Sequence, residues 1–463
     1  MKHKLQKWAI LGMICMLGAS ALPITNSAHA TAAIQPYKDE LATWKQWVKQ
    51  QAVPIRIQPY HPNSILKDSF QDLQFLKPLL KDKRIVSLGE ASHGASEYNS
   101  AKVRLVQFLH EEMQYDVIAF ESLLGDTSAA YAQLDADSPE ETMNKAVYGV
   151  WQVKENLPLF EYIAKCSKTD HPLILTGFDM QATTEPFIAF GKEWFNKVDP
   201  SQGHRLEEAE KRFLEVQSYN DMKKFRAARE ELIQEYRALQ NFVTSNEVKL
   251  ASLVPQHTDM VPIMKRVLQN RIDVLDTYVE YMVQMWIDQD SKHVREGSYF
   301  RDKMMADNVA WLAEDMYPDK KIMLWGHNYH IRRHNSTMIT EHNGMGFAND
   351  PYPTMGEMLP VKLQRQHYAI GLYAYEGSSL KNNNKSEAVL PHATGNLEDI
   401  LHASGHPASF IDLENAPLKK ETSWMYTPRV AKAWGVLDEV MVVRDQYDGL
   451  VFIQQIHPSK RIK

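Results

Sequence analysis

The chain has 463 residues, 44% hydrophobic and 24% charged, a balance that supports a large buried core and excludes a disordered or low-complexity protein. Its 52 basic and 58 acidic residues give a formal net charge of −6, which excludes a basic dock for nucleic acid or an anionic membrane. With only two cysteines, a disulfide framework is excluded as well.

Lys2, Lys4 and Lys7 precede the apolar stretch Trp8 to Leu17, and Ala28-His29-Ala30 follows. A charged n-region, an apolar h-region and an A-x-A site predict a secretory signal peptide over residues 1–30, cleaved after Ala30. The expected mature protein is extracytoplasmic and free of the membrane, since no later stretch reaches about 18 uninterrupted apolar residues. Ile14, before Cys15, is not the small neighbour of a lipid-attachment site. Cleavage leaves 49 basic and 58 acidic residues and one cysteine, Cys166, read as a small buried apolar residue.

Residues 31–83 read as a helical lead-in, with Leu41, Trp44, Trp47 and Val48 at helical spacing before Pro54, Pro59 and Pro62 break the pattern. An α/β core is expected over 84–184 and 291–463. Its strands are the short apolar runs Arg84 to Leu88, Val117 to Phe120, Pro172 to Phe178, Lys320 to Trp325, Tyr368 to Tyr373, Phe410 to Leu413, Val440 to Val443 and Leu450 to Ile453. Helical periodicity fills the intervals, as at Ala101, Leu105 and Phe108, and from Glu140 to Lys168. The alternation implies a mostly parallel sheet flanked by helices on both faces. Residues 185–290 differ: Leu206, Phe213, Val216, Phe225, Leu232, Tyr236, Leu239, Val243, Val267, Ile272, Leu275, Val279 and Met282 mark amphipathic helices. This segment predicts an all-helical insertion that covers the site.

Four strands run into titratable or polar side chains: Glu90 and His93, Glu121, Asp179 and Gln181, and His327 with Asn328 and His330. Parallel strands present their C-terminal ends along one edge, where ligands bind, so these groups form one candidate site. An imidazole takes a proton from water near neutral pH, and carboxylates beside it stabilise the imidazolium. Spacing does not select among His93, His327 and His330 as the base. The same residues are also possible ligands of a divalent cation, which makes a metal-dependent hydrolase one alternative. No G-x-S-x-G is present to mark a serine nucleophile.

Gly89-Glu90-Ala91-Ser92-His93-Gly94, Phe120-Glu121-Ser122, Gly177-Phe178-Asp179-Met180-Gln181, Arg301 through Met305-Ala306-Asp307-Asn308, Trp325-Gly326-His327-Asn328-Tyr329-His330 and Thr354-Met355-Gly356 together resemble the erythromycin esterase family. The resemblance runs in order from about residue 80 to Asp448-Gly449-Leu450. It implies an α/β core with a helical insertion and a hydrolase of ester bonds that works without a metal or other cofactor on a small-molecule substrate. Macrolide lactones, and with them antibiotic resistance, belong to its best-known members. It also implies that His93, His327 and His330 are the candidates for activating water, with Glu90 and Glu121 orienting them. Arg301 would hold a carbonyl or its developing oxyanion, and Lys102, Asp179, Gln181 and Asn328 would contact substrate. Lys102 stands where the family often has arginine, keeping the charge without the planar fork. A second alternative is a secreted binding protein for a polysaccharide or a large amphipathic ligand. Nothing in the sequence specifies an oligomeric state.

Overall fold

A computed structural model describes residues 38–59, 61, 68–181, 184–338 and 352–462; the expected signal peptide lies outside them. Among the described residues are eleven strands: β1 (Val53–Pro54), β2 (Ile85–Leu88), β3 (Tyr115–Leu123), β4 (Ile174–Asp179), β5 (Lys321–Trp325), β6 (His367–Leu380), β7 (Ser386–Ala388), β8 (Ala408–Asp412), β9 (Pro428–Ala433), β10 (Leu437–Val442) and β11 (Gly449–Ile456). The fold is mixed α/β, with a mostly parallel central sheet and many flanking helices, as the alternation of runs predicts. No described helix is long and apolar enough to cross a membrane.

The chain divides into two compact units. One unit takes residues 38–118, Gly149–Leu173 and Asp319–Lys463. At its centre β2 lies between β5 and β6, parallel to both, and β6 is parallel to β11. Beyond β11 the pairing turns antiparallel, through β8 to β1. All four residues of β2 are buried, which is why these strands read as continuous apolar runs rather than alternating ones. Helix α1 (Ser96–Met113) follows β2 and is buried over most of its length.

Two details depart from the sequence reading. Val440 to Val442 is not a sheet strand: β10 pairs with β9 in a separate antiparallel ribbon. Apolar runs show that a segment is buried but not which partner it takes. The segment from Glu140 to Lys168 is two helices, Pro139–Ala146 and Leu157–Cys166, separated by short turns that carry Trp151, and Cys166 is half-buried.

The other unit takes Ala119–Tyr148 and Ile174–Pro318. It contains most of β3, all of β4 and a run of helices from Glu185 to Trp311, the last being α2 (Ser291–Trp311). Leu206, Phe213, Phe225, Leu232, Tyr236, Leu239 and Val243 fill its interior, the face their spacing defines. Within that interior Arg271 pairs with Glu210, and Tyr236 donates to the same carboxylate at 3.0 Å.

Candidate active site

The central site is built where two neighbouring strands end. β2 and β5 are parallel with Leu88 opposite Trp325, so the chain leaves both at the same level. Each exit passes through a glycine, and Glu90 and His327 follow. Main-chain bonds join the exits, Gly326 N–H to the Leu88 carbonyl at 3.2 Å and Asn328 N–H to the Glu90 carbonyl at 2.9 Å. Asn328 then spans the gap to β6: its Nδ2 donates to the Leu372 carbonyl at 3.0 Å and its Oδ1 accepts from Leu372 N–H at 3.2 Å. That amide passes directly over Gly89, where a Cβ would stand 2.1 Å from Oδ1. Glycine and asparagine are therefore a matched pair, and the Asn328 amide, expected at the substrate, is engaged with the main chain.

Glu90 is fully buried and surrounded by donors. His93 Nδ1 and Trp151 Nε1 each lie 2.7 Å from its Oε1, and Lys102 Nζ lies 2.7 Å from its Oε2. Burial pushes the carboxyl up, but the Lys102 charge and the His93 contact outweigh it and hold the group below its ordinary value. An ionised carboxylate only accepts, so Nδ1 carries a proton in this pair, and in the neutral ring the lone pair lies on Nε2. His93 Nε2 is buried and has no hydrogen-bond partner among the described residues. Lys102 comes from α1, also donates to the Gly326 carbonyl at 3.4 Å, and rests its ammonium 4.1 Å from the Trp325 ring centre. It thus ties the Glu90 loop to the strand end that carries His327.

His327 differs from His93 in both respects. Its Nε2 faces the Ala91 carbonyl at 3.2 Å and its Nδ1 accepts Tyr329 N–H at 3.2 Å, so both ring nitrogens are engaged. Burial, with the neighbouring His93 and His330 imidazoles and the Arg332 charge adding to it, drives its pKa well below the ordinary value and keeps it neutral. His330 is buried next to it, edge-on to Tyr329 at 5.3 Å. The His93 ring is enclosed by aromatic edges, with Trp151 and His327 at 5.0 Å and Trp434 at 5.1 Å.

Trp434 lies in the turn between β9 and β10, and its φ of 56° is left-handed, followed by Gly435 at 73°. Such a conformation costs a bulky residue about 1–3 kcal/mol. Neither Trp151 nor Trp434 was anticipated. The Trp434-Gly435 pair between two apolar stretches is a turn signal that could have drawn attention to the second, whereas nothing local marks the first.

The remaining candidates meet in the other unit. Arg301, from α2, places Nη2 2.9 Å from Glu121 Oε1 and 2.6 Å from Asp179 Oδ2. Tyr148 and Gln181 donate to the same Asp179 oxygen at 3.0 and 2.8 Å. Burial disfavours both charges, yet the Arg301 guanidinium lowers the pKa of Asp179, and Asp179 and Glu121 raise that of Arg301. Arg271 donates to the carbonyls of Met180 and Gln181, both at 3.2 Å, and Tyr278 to the Gln181 side chain at 3.1 Å, so the helical segment holds this strand end in place.

Groups of three or more metal-ligating side chains with atoms within 4.8 Å of one another occur, among the described residues, at His110/Asp116/His171 and His204/Glu207/Glu208. Neither contains Glu90, His93 or His327, so the metal-dependent alternative gains no ligand set from this cluster.

The erythromycin esterase family profile matches residues 110–456, which takes in Glu121, Asp179, Arg301, His327 and His330 and begins after the Glu90 loop. YbfO of Bacillus subtilis (strain 168), provisionally named a hydrolase, is 38% identical over 442 residues, 94% of this chain and 95% of that one. Erythromycin esterase type II of Escherichia coli is 20% identical over 72% of this chain and 78% of its own length. A crystal structure of a succinoglycan biosynthesis protein shares the fold, with a TM-score of 0.70 at 18% identity over 92% of this chain and all of that one. The chain belongs to the erythromycin esterase family.

Proposed function

We propose that the protein is a hydrolase that cleaves a carboxylic ester or lactone with water activated by His93 and without a metal. The observation that carries this reading is the His93 ring itself: Nδ1 is fixed on the Glu90 carboxylate at 2.7 Å, and the buried Nε2 has no hydrogen-bond partner among the described residues. A water placed on Nε2 gives up its proton as it attacks the carbonyl, the Glu90 carboxylate stabilises the imidazolium, and the same proton then goes to the departing alkoxide. Such help is worth about 10²- to 10⁴-fold in rate. Lys102 and Trp151 keep Glu90 ionised and aimed at Nδ1. His327, neutral and with both nitrogens bonded, packs against His93 rather than competing for the proton. Arg301 is assigned to the carbonyl or its oxyanion and Asp179 to substrate on the strength of the family resemblance, and Glu121 pairs with Arg301.

Macrolide lactones are one substrate class, suggested by the names of distant relatives. Export through the segment 1–30 would place the reaction outside the cytoplasm, and N-terminal sequencing of the mature protein tests that. The activity is tested by screening purified protein against activated esters, simple lactones and macrolides beside His93→Ala. Turnover by wild type that the variant lacks supports the reading. Equal inertness of both across the panel overturns it in favour of a binding protein.

A further inference from the structure

We propose that Trp434 is a substrate platform, and that the ligand it receives is an uncharged saturated ring that carries or contains the scissile ester. The inference rests on the hydrolase reading of His93. Trp434 occupies the first of two consecutive left-handed positions in the β9–β10 turn, closed by the Val436 N–H to Ala433 carbonyl bond at 3.1 Å. Turns of this kind favour Asn, Asp or Gly at that position, because a side chain there crowds its own backbone. Tryptophan is among the least suited residues, so the turn gains nothing from it. Strain of this sort is a pointer to function when the side chain goes somewhere useful.

Here it goes to the centre of the site. Trp434 N–H donates to the Ala91 carbonyl at 2.8 Å, which docks the turn on the loop between Glu90 and His93. The indole stacks on His327 at 4.7 Å and 20° and meets His93 edge-on at 5.1 Å and 80°. Trp151 and Trp325 nearby are fully buried, but Trp434 is half-buried. One face of the indole lies on His327, and the residue keeps part of its surface open to solvent. A carbonyl attacked by water on His93 Nε2 brings the body of its molecule within reach of that surface.

The charges nearby determine what kind of molecule it is. Glu90 is balanced by Lys102, and Arg332, whose charge bears on His327, is balanced by Glu439. A flat aromatic surface beside balanced charges suits the C–H face of a saturated ring better than an ion. Acylated sugars and macrocyclic lactones both present such a face.

The test compares wild type with Trp434→Asn, which suits the turn, and Trp434→Phe, which keeps a ring. Substrates are methyl 6-O-acetyl-glucopyranoside, a macrocyclic lactone and the ringless-acid ester p-nitrophenyl acetate. The preference for a ring substrate over p-nitrophenyl acetate, as a ratio of kcat/KM values, should fall about tenfold or more in Trp434→Asn, mainly through KM, and less in Trp434→Phe. Which ring substrate loses most identifies the source. A ratio unchanged within about twofold overturns the platform, because a residue acting only through the histidines slows every ester alike. Calorimetric binding of the same ring compounds to His93→Ala and to His93→Ala/Trp434→Asn separates this from the hydrolase reading. Affinity for the first that falls about tenfold in the second supports the platform even where wild type shows no turnover. Equal affinity, or no binding to either, overturns it.

Discussion

His93 and Glu90 form a buried dyad in which Nδ1 of the imidazole stands 2.7 Å from a carboxylate oxygen and Nε2 has no hydrogen-bond partner among the described residues. The pairing follows from strand geometry. Glu90 leaves β2 beside β5, Asn328 closes the gap to β6 over Gly89, and His93 returns three residues later to meet Glu90.

Substituting Gly89 by alanine should disturb this exit before it disturbs the sheet. The new methyl would meet Asn328 Oδ1 at 2.1 Å and the Ile370 carbonyl at 3.1 Å, and neither gives way easily. A loss of about 1–3 kcal/mol in urea denaturation is expected, with esterase activity falling further than stability. A Gly89→Ala protein of unchanged stability and activity would show that the Asn328 bridge is dispensable.

Lys102→Met leaves Glu90 buried with its charge uncompensated. Breaking a buried pair from one side costs about 3–5 kcal/mol, so chemical denaturation should show a large destabilisation. Trp151→Phe is milder: it removes one donor to Glu90 Oε1 and keeps the ring. It should lower kcat more than it raises KM, because the change acts on the base rather than on substrate contacts. The opposite split would move Trp151 to the substrate.

His367 gives the fold a one-sided response to pH. Burial, with Arg333 and Lys83 adding to it, lowers its pKa to about 3, and its Nε2 meets Ser87 Oγ at 2.7 Å within the sheet. Below about 6.5 the unfolded chain takes up a proton that the folded chain refuses until about 3. This contribution is therefore fully present above 6.5 and is lost as pH falls toward 3, at up to about 1.4 kcal/mol per pH unit. Urea titrations at pH 7 and 4.5 should show wild type losing more stability than His367→Gln. Equal losses would assign the acid sensitivity to other groups.

Dialysis against a chelator should leave activity intact, and zinc should not raise it. Loss on chelation with recovery on adding zinc would revive the metal-dependent alternative.

Much of this was readable in advance for physical reasons. Strands buried on both faces are mostly apolar, so β2, β5, β6 and β11 stood out, and a glycine at a strand exit followed by Glu90 or His327 marked where chemistry could gather. The helical faces around Phe213 and Tyr236 were equally plain from their period. What escaped was pairing. Nothing local tells that Val440 belongs to a ribbon with β9, or that Trp151, in a stretch with helical texture, sits on a turn and bonds Glu90. Lys102 was visible as a charge, but its position on the inner face of α1 determines that the charge meets Glu90. The different bonding of the His93 and His327 ring nitrogens also lay beyond spacing.

The most direct test is the hydrolysis rate of His93→Ala on the best ester or lactone found for wild type, with and without added imidazole. Loss of about a hundredfold or more in kcat, partly restored by imidazole, is the predicted result. A variant that retains activity within about threefold of wild type would contradict the assignment of His93 as the base.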